Sequence, residues 1–396
     1  MNDRSTISKS FGSSARVAVI VGHKPISALD REQLSGVKKY MRRHRLQWRI
    51  ALFQPSAPTT QVLSWRPDGV ISCVAMDSAV FEVPVVHLGY RQLPDEAGMI
   101  YTDQKQIGTI AADHLFDRRF RSFAFLGCAD KAWSALRQDA YVEALKQHNF
   151  ACGQFDLSIR NEDVMPIKRR PTLAEWLAGL PDRTALFAVN DYLALEVLSI
   201  CREIGRDVPK SLAVLGVDDV DFECELTDPP LSSVVNPMKS VGYEGGRMMA
   251  ELLTGTFARS KRLSVRSEGV HVRKSTDVTA VDDLIVDEAI RYIRANLESC
   301  AGVEHVAKAI RVARSTLHRH FVQALGHSPL QELQRLRVQR AEELLLTTDL
   351  SMVNVAERCG FSDDMHLTRV FRAAHGVTPG TYRRQTLVED GQASKP

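Results

Sequence analysis

Two stretches of this chain repeat one pattern: STLHRHFVQALGHSP at 315–329 and MHLTRVFRAAHGVTP at 365–379. Leu317, Arg319, Phe321, Gly326 and Pro329 recur as Leu367, Arg369, Phe371, Gly376 and Pro379, every pair 50 residues apart. A Val-Ala pair in a short helical stretch precedes each copy, Val306-Ala307 in the first and Val355-Ala356 in the second. A repeat of this length marks two copies of one supersecondary unit, and the unit reads as helix-turn-helix. Two such units in one chain point to DNA.

The segment between the copies supports that reading. Ser328-Pro329 opens a long helix reaching about Leu346, with proline in the favoured first turn. Such a helix is a rod of about 27 Å at ~1.5 Å per residue. Two units joined by a rod can set their second helices in successive major grooves, ~34 Å apart on one face of the duplex. In the first copy Leu317 and Phe321 face the core, while Arg314, Ser315, Thr316, His318 and Arg319 are candidates to touch DNA. In the second, Leu367 and Phe371 face inward, and Asp364, Met365, His366, Thr368 and Arg369 are the candidates. Asp364 has two readings, a contact to cytosine or the cap of its helix, and the cap is favoured. His318 and His320 are not read as a metal pair, because residues two apart on a helix point away from each other. Upstream, Val286, Ala289, Ile290, Ile293 and Leu297 form one apolar stripe at helical spacing.

The first 280 residues have a different rhythm. Short apolar runs at 16–22, 49–53, 69–74, 83–89, 123–127, 185–189 and 212–217 alternate with amphipathic stretches at 29–46, 106–116, 136–148 and 193–204. Buried parallel strands read this way, and the alternation implies a doubly wound α/β architecture. Ligands of such sheets sit beyond the carboxyl ends of the strands. The polar residues found there are His23, Asp77, Arg91, Asn190-Asp191 and Asp218-Asp219. The structural alternatives are a helix cap for Asn190-Asp191 and an Asx-turn for Asp218-Asp219.

Three segments of this region, VNDYLALEVL (189–198), LGVDDVDFECELTDPPLSSV (215–234) and WSALRQDAYVEAL (133–145), resemble the effector domain of LacI-type repressors and sugar-binding proteins. The resemblance spans roughly 16–275 and includes an Arg shortly before an aromatic (Arg137, Tyr141) and a hinge at Pro229–Val234. It implies a periplasmic-binding-protein-like domain of two lobes closing on a sugar, with Arg137, Asn190 and Asp218 as leading ligands. Asp, Asn and Arg can each bond two vicinal hydroxyls at once, which suits a sugar. Trp133 is a candidate platform for an apolar sugar face, with an ordinary packed Trp as its alternative. Asp77, Tyr90, Arg91 and Asp219 are weaker candidates. The small N-terminal DNA-binding unit of LacI-type repressors has no match here, since the polar, Ser-rich 1–15 leads directly into the first strand.

The stretch 303–384 resembles the AraC family of transcription regulators over its whole length, with Gly360-Phe361, Arg369…Phe371-Arg372 and Gly376…Pro379 in register. By that resemblance Ser315–Leu325 and Asp363–His375 are the recognition helices.

Bulk properties agree. The chain has 396 residues, 44% hydrophobic and 25% charged, as expected of two or three ordinary globular domains. Its net charge of +3 announces no global basic field. The 301–385 segment, however, holds 12 Lys and Arg against 8 Asp and Glu, and 11 of those cations are Arg. Arginine's planar fork is the better ligand for phosphate and guanine. Seven cysteines without a C-x-x-C pair fit a reducing cytosol rather than a disulfide or zinc framework. The run Val17–Val21 is too short for a signal or a membrane span, so a cytoplasmic location is expected, with no membrane contact.

The resulting expectation is a sugar-binding effector domain at 16–280 and an all-α DNA-binding domain at 281–385, between disordered ends at 1–15 and 386–396. The effector lobes are placed at 16–102 plus 236–262 and at 103–235 plus 263–280. The two resemblances together imply a sugar-responsive transcription regulator, an activator of a pentose (xylose-type) catabolic operon. Its implied partners are an operator duplex, a small sugar, a second copy in a homodimer, and RNA polymerase. A repressor, or a sensor of a different small molecule, fits the same scaffold. A sugar-processing enzyme using Asp218-Asp219 as paired carboxylates is the reading from another class. No nucleophile elbow, phosphate loop or metal spacing accompanies those carboxylates, so no catalytic residue, cofactor or metal is expected.

Overall fold

The β-branched runs of the first half cannot satisfy their backbone groups singly, and they pair into two parallel sheets. The computed structural model describes residues 15–22, 26–54, 56–74, 76–89, 98–157, 170–255, 262–278, 281, 283–348 and 350–383. Its strands are β1 Arg16–Ile20, β2 Arg49–Phe53, β3 Gly69–Ser72, β4 Val85–Leu88, β5 Gly98–Thr102, β6 Ser122–Cys128, β7 Cys152–Leu157, β8 Thr184–Ala188, β9 Leu212–Asp218, β10 Ser232–Val235, β11 Arg262–Val265 and β12 Val270–His271. The first sheet runs β11-β5-β4-β3-β1-β2 and the second β12-β10-β9-β8-β6-β7. Every pairing is parallel except β10 with β12. Helices α1 Ala28–Arg43, α2 Thr59–Ser64, α3 Gln104–Asp117, α4 Ala132–Gln147, α5 Arg170–Gly179, α6 Asp191–Glu203, α7 Asp221–Leu226 and α8 Met238–Leu253 connect the strands.

Each sheet is the centre of one lobe, and the chain passes between lobes after β5, β10 and β11. The expected lobe boundary at 262 needs correction. All of β11 pairs with β5, from Arg262 opposite Met99 to Val265 opposite Thr102, so the return to the second lobe follows Val265. The crossings are tied together: Thr102 Oγ1 donates to Asn236 Oδ1 (2.9 Å), and Ser267 Oγ donates to the Val235 carbonyl (2.7 Å). Ala15, assigned from the sequence to the disordered N-terminus, is buried and its carbonyl accepts from Arg49 N. Residues 1–14 and 386–396, read as disordered from the sequence, lie outside the described residues.

From Leu284 onward the chain is helical: α9 Leu284–Ala295, α10 Val303–Ala309, α11 Arg314–Leu325, α12 Pro329–Thr347, α13 Met352–Arg358 and α14 Asp364–His375. The second helix of each unit recurs in space as in sequence, offset by 50 residues. Helices α11 and α14 have 12 residues each, and both end at a left-handed glycine, Gly326 (φ 75°) and Gly376 (φ 73°). Only glycine adopts that conformation without a Cβ penalty. Leu317 with Phe321 and Leu367 with Phe371 are wholly buried. The first unit packs on the α9 stripe of Val286, Ala289, Ile290 and Ile293. The second packs on Val338, Ala341, Leu344 and Leu345 of α12. Ser328 and Gln331 close a reciprocal capping box at the start of α12.

In the first lobe α1 and α8 touch backbone to backbone. A Cβ on Gly242 would stand 1.9 Å from the Gln33 carbonyl oxygen, and one on Gly36 would stand 2.0 Å from that of Lys239. Gly242→Ala should therefore push the two helices apart and destabilise the first lobe by about 1–3 kcal/mol, as overpacking does. A urea titration followed by circular dichroism checks this; an unchanged midpoint would mean the helices separate without cost.

Candidate functional site

A cleft of about 190 Å³ opens between the lobes, at the carboxyl ends of both sheets. Arg137, Asn190 and Asp218 meet there, together with Trp133. Each is delivered by a different local rule. Arg137 stands on α4, whose partner α3 approaches so closely that a Cβ on Gly108 would be 2.3 Å from the Arg137 carbonyl oxygen. Asn190 caps α6, its Oδ1 accepting from Leu193 N at 3.0 Å. Asn190 thus caps its helix and lines the cleft at once, its Nδ2 having no hydrogen-bond partner among the described residues. Asp218 ends β9 with φ +118° and is followed by Asp219 at +54°, two left-handed non-glycine residues in succession. Such backbone costs on the order of 1–3 kcal/mol per residue and persists where the surroundings enforce it.

The surroundings here are specific. Asn236 Nδ2 donates to Asp218 Oδ1 at 2.8 Å, joining the site to the lobe crossing. Asp191 is buried beneath the same turn, accepting from Ser233 Oγ (2.6 Å), Val220 N (3.1 Å) and Cys224 Sγ (3.3 Å). Burial, and then the nearby Asp218 charge, raise the Asp191 pKa far above the usual carboxylate range. Arg137 is almost fully buried; its Nε donates to Gln104 Oε1 (2.7 Å) and its Nη1 to the Val189 carbonyl. Its guanidinium carbon lies 4.9 Å from the centre of the Trp133 ring, a cation–π contact. Burial lowers the Arg137 pKa while Asp218 and Asp191 oppose it, so the cleft holds a cation and an acceptor side by side.

Other expectations fail. Asp77 is exposed, caps the turn at Ser78–Val80 through Ala79 N (2.9 Å), and does not line the cleft. Asp219 is turned away as well: Arg273 Nη1 donates to its Oδ1 (2.8 Å), and His271 Nδ1 lies 3.2 Å from its Oδ2. Asp218 and Asp219 therefore do not face one reacting atom as paired carboxylates. Tyr90, Arg91 and His23 lie outside the described residues. Missed by the sequence reading were Asp30, Gln104, Lys131, Tyr192 and Asn236, all lining the cleft. Gln104 and Asn236 follow β5 and β10, so the strand-end rule would have found them had those short strands been recognised.

In the helical domain α11 and α14 present their outer faces. Arg314, Ser315, His318 and Arg319 are exposed and Thr316 is half-buried; Arg314 Nη1 holds exposed Glu304 at 2.7 Å. His320 turns the other way, to Asp283 Oδ2 at 2.6 Å. On α14, Asp364, Met365, Thr368, Arg369 and Arg372 line one shallow concavity, with Met365 77% exposed. The cap reading of Asp364 is overturned. Asp363 has the extended backbone and accepts from His366 N (2.6 Å), which leaves the Asp364 carboxylate to the shallow concavity. His366 packs edge-on against Phe361, 5.3 Å between ring centres, with Nδ1 3.2 Å from Ser362 Oγ, so its ring is held by its own domain.

Residues 112–276 match the periplasmic binding protein-like domain family, and residues 306–385 match a helix-turn-helix domain family. The xylose operon regulatory protein of Escherichia coli (strain K12) is 28% identical over 372 residues, covering 90% of this chain and 94% of that protein. The protein of the same description from Haemophilus influenzae is 26% identical over 368 residues, covering 89% and 95%. A solved structure of a xylose-binding transcription activator superposes with a TM-score of 0.60 at 26% identity, covering 94% of this chain and 98% of that one.

The raised pKa of Asp191 has a signed consequence. The fold keeps the proton longer than the unfolded chain, so stability declines as pH rises from the ordinary carboxylate range through neutrality. Asp191→Asn, whose Nδ2 can donate to Ser233 Oγ, removes that titration. Its melting temperature relative to the unsubstituted protein should rise between pH 5 and pH 9; a difference that stays flat would place the Asp191 pKa in the usual range.

Proposed function

We propose that this chain, a two-domain factor built like the xylose operon regulators, is a sugar-responsive transcription regulator. In this reading Arg137, Asn190 and Asp218 bind the sugar, and α11 and α14 read DNA. The carrying observation is the joining, in one chain, of a polar two-lobed cleft to a pair of helix-turn-helix units with equivalent outward faces.

The cleft chemistry supports a monosaccharide. Its volume of about 190 Å³ is below the ~300–1,000 Å³ of drug-sized sites, which suits one sugar ring. Arg137 donates to hydroxyl oxygens, Asp218 accepts from hydroxyl hydrogens, and Trp133 offers an apolar face beside them. A pentose, xylose first, is the effector we infer, and an operon for its catabolism the target. Arg137, Asn190 and Asp218 belong to the second lobe, and Asp30 and Gln33 line the cleft from the first; a sugar that bonds both sides stabilises the closed form, and the population shifts by its differential affinity for that form. Activation is the finer reading, in line with the description of the solved xylose-binding transcription activator, and we infer that a homodimer exerts it through RNA polymerase.

On the DNA side Arg319 and Arg369 occupy equivalent positions in the two units and have no protein partner among the described residues. Both are exposed, and in this reading each meets a guanine or a phosphate. Asp364, Met365 and Thr368 in one reader, with Ser315 and His318 in the other, complete the base-facing set.

A thermal-shift screen of pentoses and hexoses should give its largest rise with xylose, since a ligand bound by the native state alone raises its melting temperature. Asp218→Asn should abolish that rise with little change in DNA affinity. No response to any sugar would remove the effector assignment. Arg369→Ala should weaken operator binding by about 1–3 kcal/mol, with relaxed preference at one base pair if it reads a base and uniform loss if it holds a phosphate. Unchanged operator affinity would take α14 out of the interface.

A further inference from the structure

Helix α3 touches both functional regions. It begins at the sugar cleft, where Gln104 Oε1 accepts from Arg137 Nε at 2.7 Å. The close approach at Gly108 leaves no slack between α3 and the Arg137-bearing helix α4. It also leans on the lobe crossings: Asp103 Oδ1 caps it through Gln106 N (3.0 Å), and Gln106 Oε1 accepts from Ser267 N (2.8 Å). Its 14 residues then span about 21 Å at ~1.5 Å per residue.

The far end meets the DNA-binding domain. Asp117, the last residue of α3, accepts from Arg335 Nη1 on Oδ1 (2.7 Å) and from Gln339 Nε2 on Oδ2. Its carbonyl accepts from Arg294 Nη2 of α9 at 2.5 Å. Two residues on, Arg119 Nη2 donates to Glu332 Oε2 at 3.0 Å, and Arg335 bonds both oxygens of that carboxylate. Glu332 is fully buried; burial opposes its charge, but Arg335 and Arg119 hold the carboxyl below its usual range. A carboxylate in the last turn of a helix opposes the helix dipole. Asp117 thus sits where its own helix disfavours it and is compensated by side chains of the other domain.

The side chains it meets belong to the connector. Glu332, Arg335 and Gln339 stand on successive turns of α12, the helix that supplies apolar residues to the cores of both helix-turn-helix units. Gripping α12 orients both readers together.

We propose that α3 is the coupling element of this regulator, with Asp117 as its output contact. Sugar in the cleft acts on the Arg137–Gln104 pair, α3 moves as a rigid rod, and the Asp117–Arg335–Gln339 clasp passes the change to α12. This rests on the reading of the cleft as a sugar site and of α11 and α14 as DNA readers. It places the coupling free energy in a contact that touches neither ligand.

The test uses the full chain, xylose, and a duplex selected in vitro by the unsubstituted protein. Calorimetry gives xylose affinity, anisotropy gives duplex affinity with and without saturating xylose, and footprinting gives the protected span. Asp117→Ala should bind xylose within about twofold of the unsubstituted protein. The effect of xylose on duplex affinity and on the footprint should disappear, the affinity ratio falling to within about twofold of one. Arg335→Ala should do the same, and the double variant should add nothing further, as two ends of one contact require. Asp117→Asn, isosteric and uncharged, serves if the alanine variant unfolds. A xylose effect retained in Asp117→Ala or Asp117→Asn overturns the proposal alone. A wild-type chain that binds xylose yet ignores it on DNA overturns the regulator reading together with the proposal.

Discussion

One helix has to satisfy two cores at once. Along its 19 residues α12 contributes Leu333 and Leu336 to the first unit's core, then Val338, Ala341, Leu344 and Leu345 to the second. The two sets follow one another along the rod, so the angle between the units is fixed by helical periodicity rather than by a loop. Interiors at crystal-like density resist a change in that angle, since rotating one set out of register opens a void in the other. The separation of α11 and α14 is therefore a property of a packed helix. A flexible connector would have spread the two readers over many separations and lost the gain of binding side by side.

At the effector end the corresponding constraint is the turn at Asp218-Asp219. Three hydrogen bonds into Asp191 hold the chain beneath it, and Gly216 leaves room for that carboxylate, since a Cβ there would lie 2.2 Å from Asp191 Oδ1. Asn236 completes the arrangement by using both ends of its amide, accepting from Thr102 and donating to Asp218. A side chain at the crossing between lobes is thereby bonded to a proposed ligand contact. The position of Asp218 is thus tied by hydrogen bonds to the crossing itself.

The sequence revealed most where periodicity was strong. A 50-residue offset with Leu, Phe and Gly in fixed places sufficed for the paired units, because those residues carry the core and the left-handed helix ends. Long apolar runs such as Phe123–Gly127 and Leu212–Val217 became central strands. The losses were of another kind. Strands β10 and β11, SSVV and RLSV, are short and partly polar, and the identity of β11 comes from a partner far back in the chain, β5, that local pattern does not encode. Capping was misassigned at Asp364 because Asp363 and Asp364 are chemically alike, and only the extended backbone of the former decides between them. Asp219 looked like its neighbour until Arg273 claimed it. That Arg137, Asn190 and Asp218 line one cleft was legible because family resemblance supplied what spacing could not.

The arginines of the helical domain show why composition overstates the basic surface. Arg335 is spent on Glu332 and Asp117, Arg337 donates to the Cys300 carbonyl and lies 5.8 Å from the Phe361 ring, and Arg383 donates to the Leu345 and Leu350 carbonyls. On the outer faces of α11 and α14, Arg319, Arg369 and Arg372 are exposed with no side-chain partner among the described residues, while Arg314 is shared with Glu304. With these three or four arginines as the proposed phosphate ligands, counterion release contributes modestly, since the salt slope scales with the number neutralised. Affinity must then come from two weak readers engaging together, where the second binds at the effective concentration set by the first. That gain depends steeply on geometry. A small change at α12 alters both readers at once, so a clasp on that helix controls more binding energy than an equal contact on either reader.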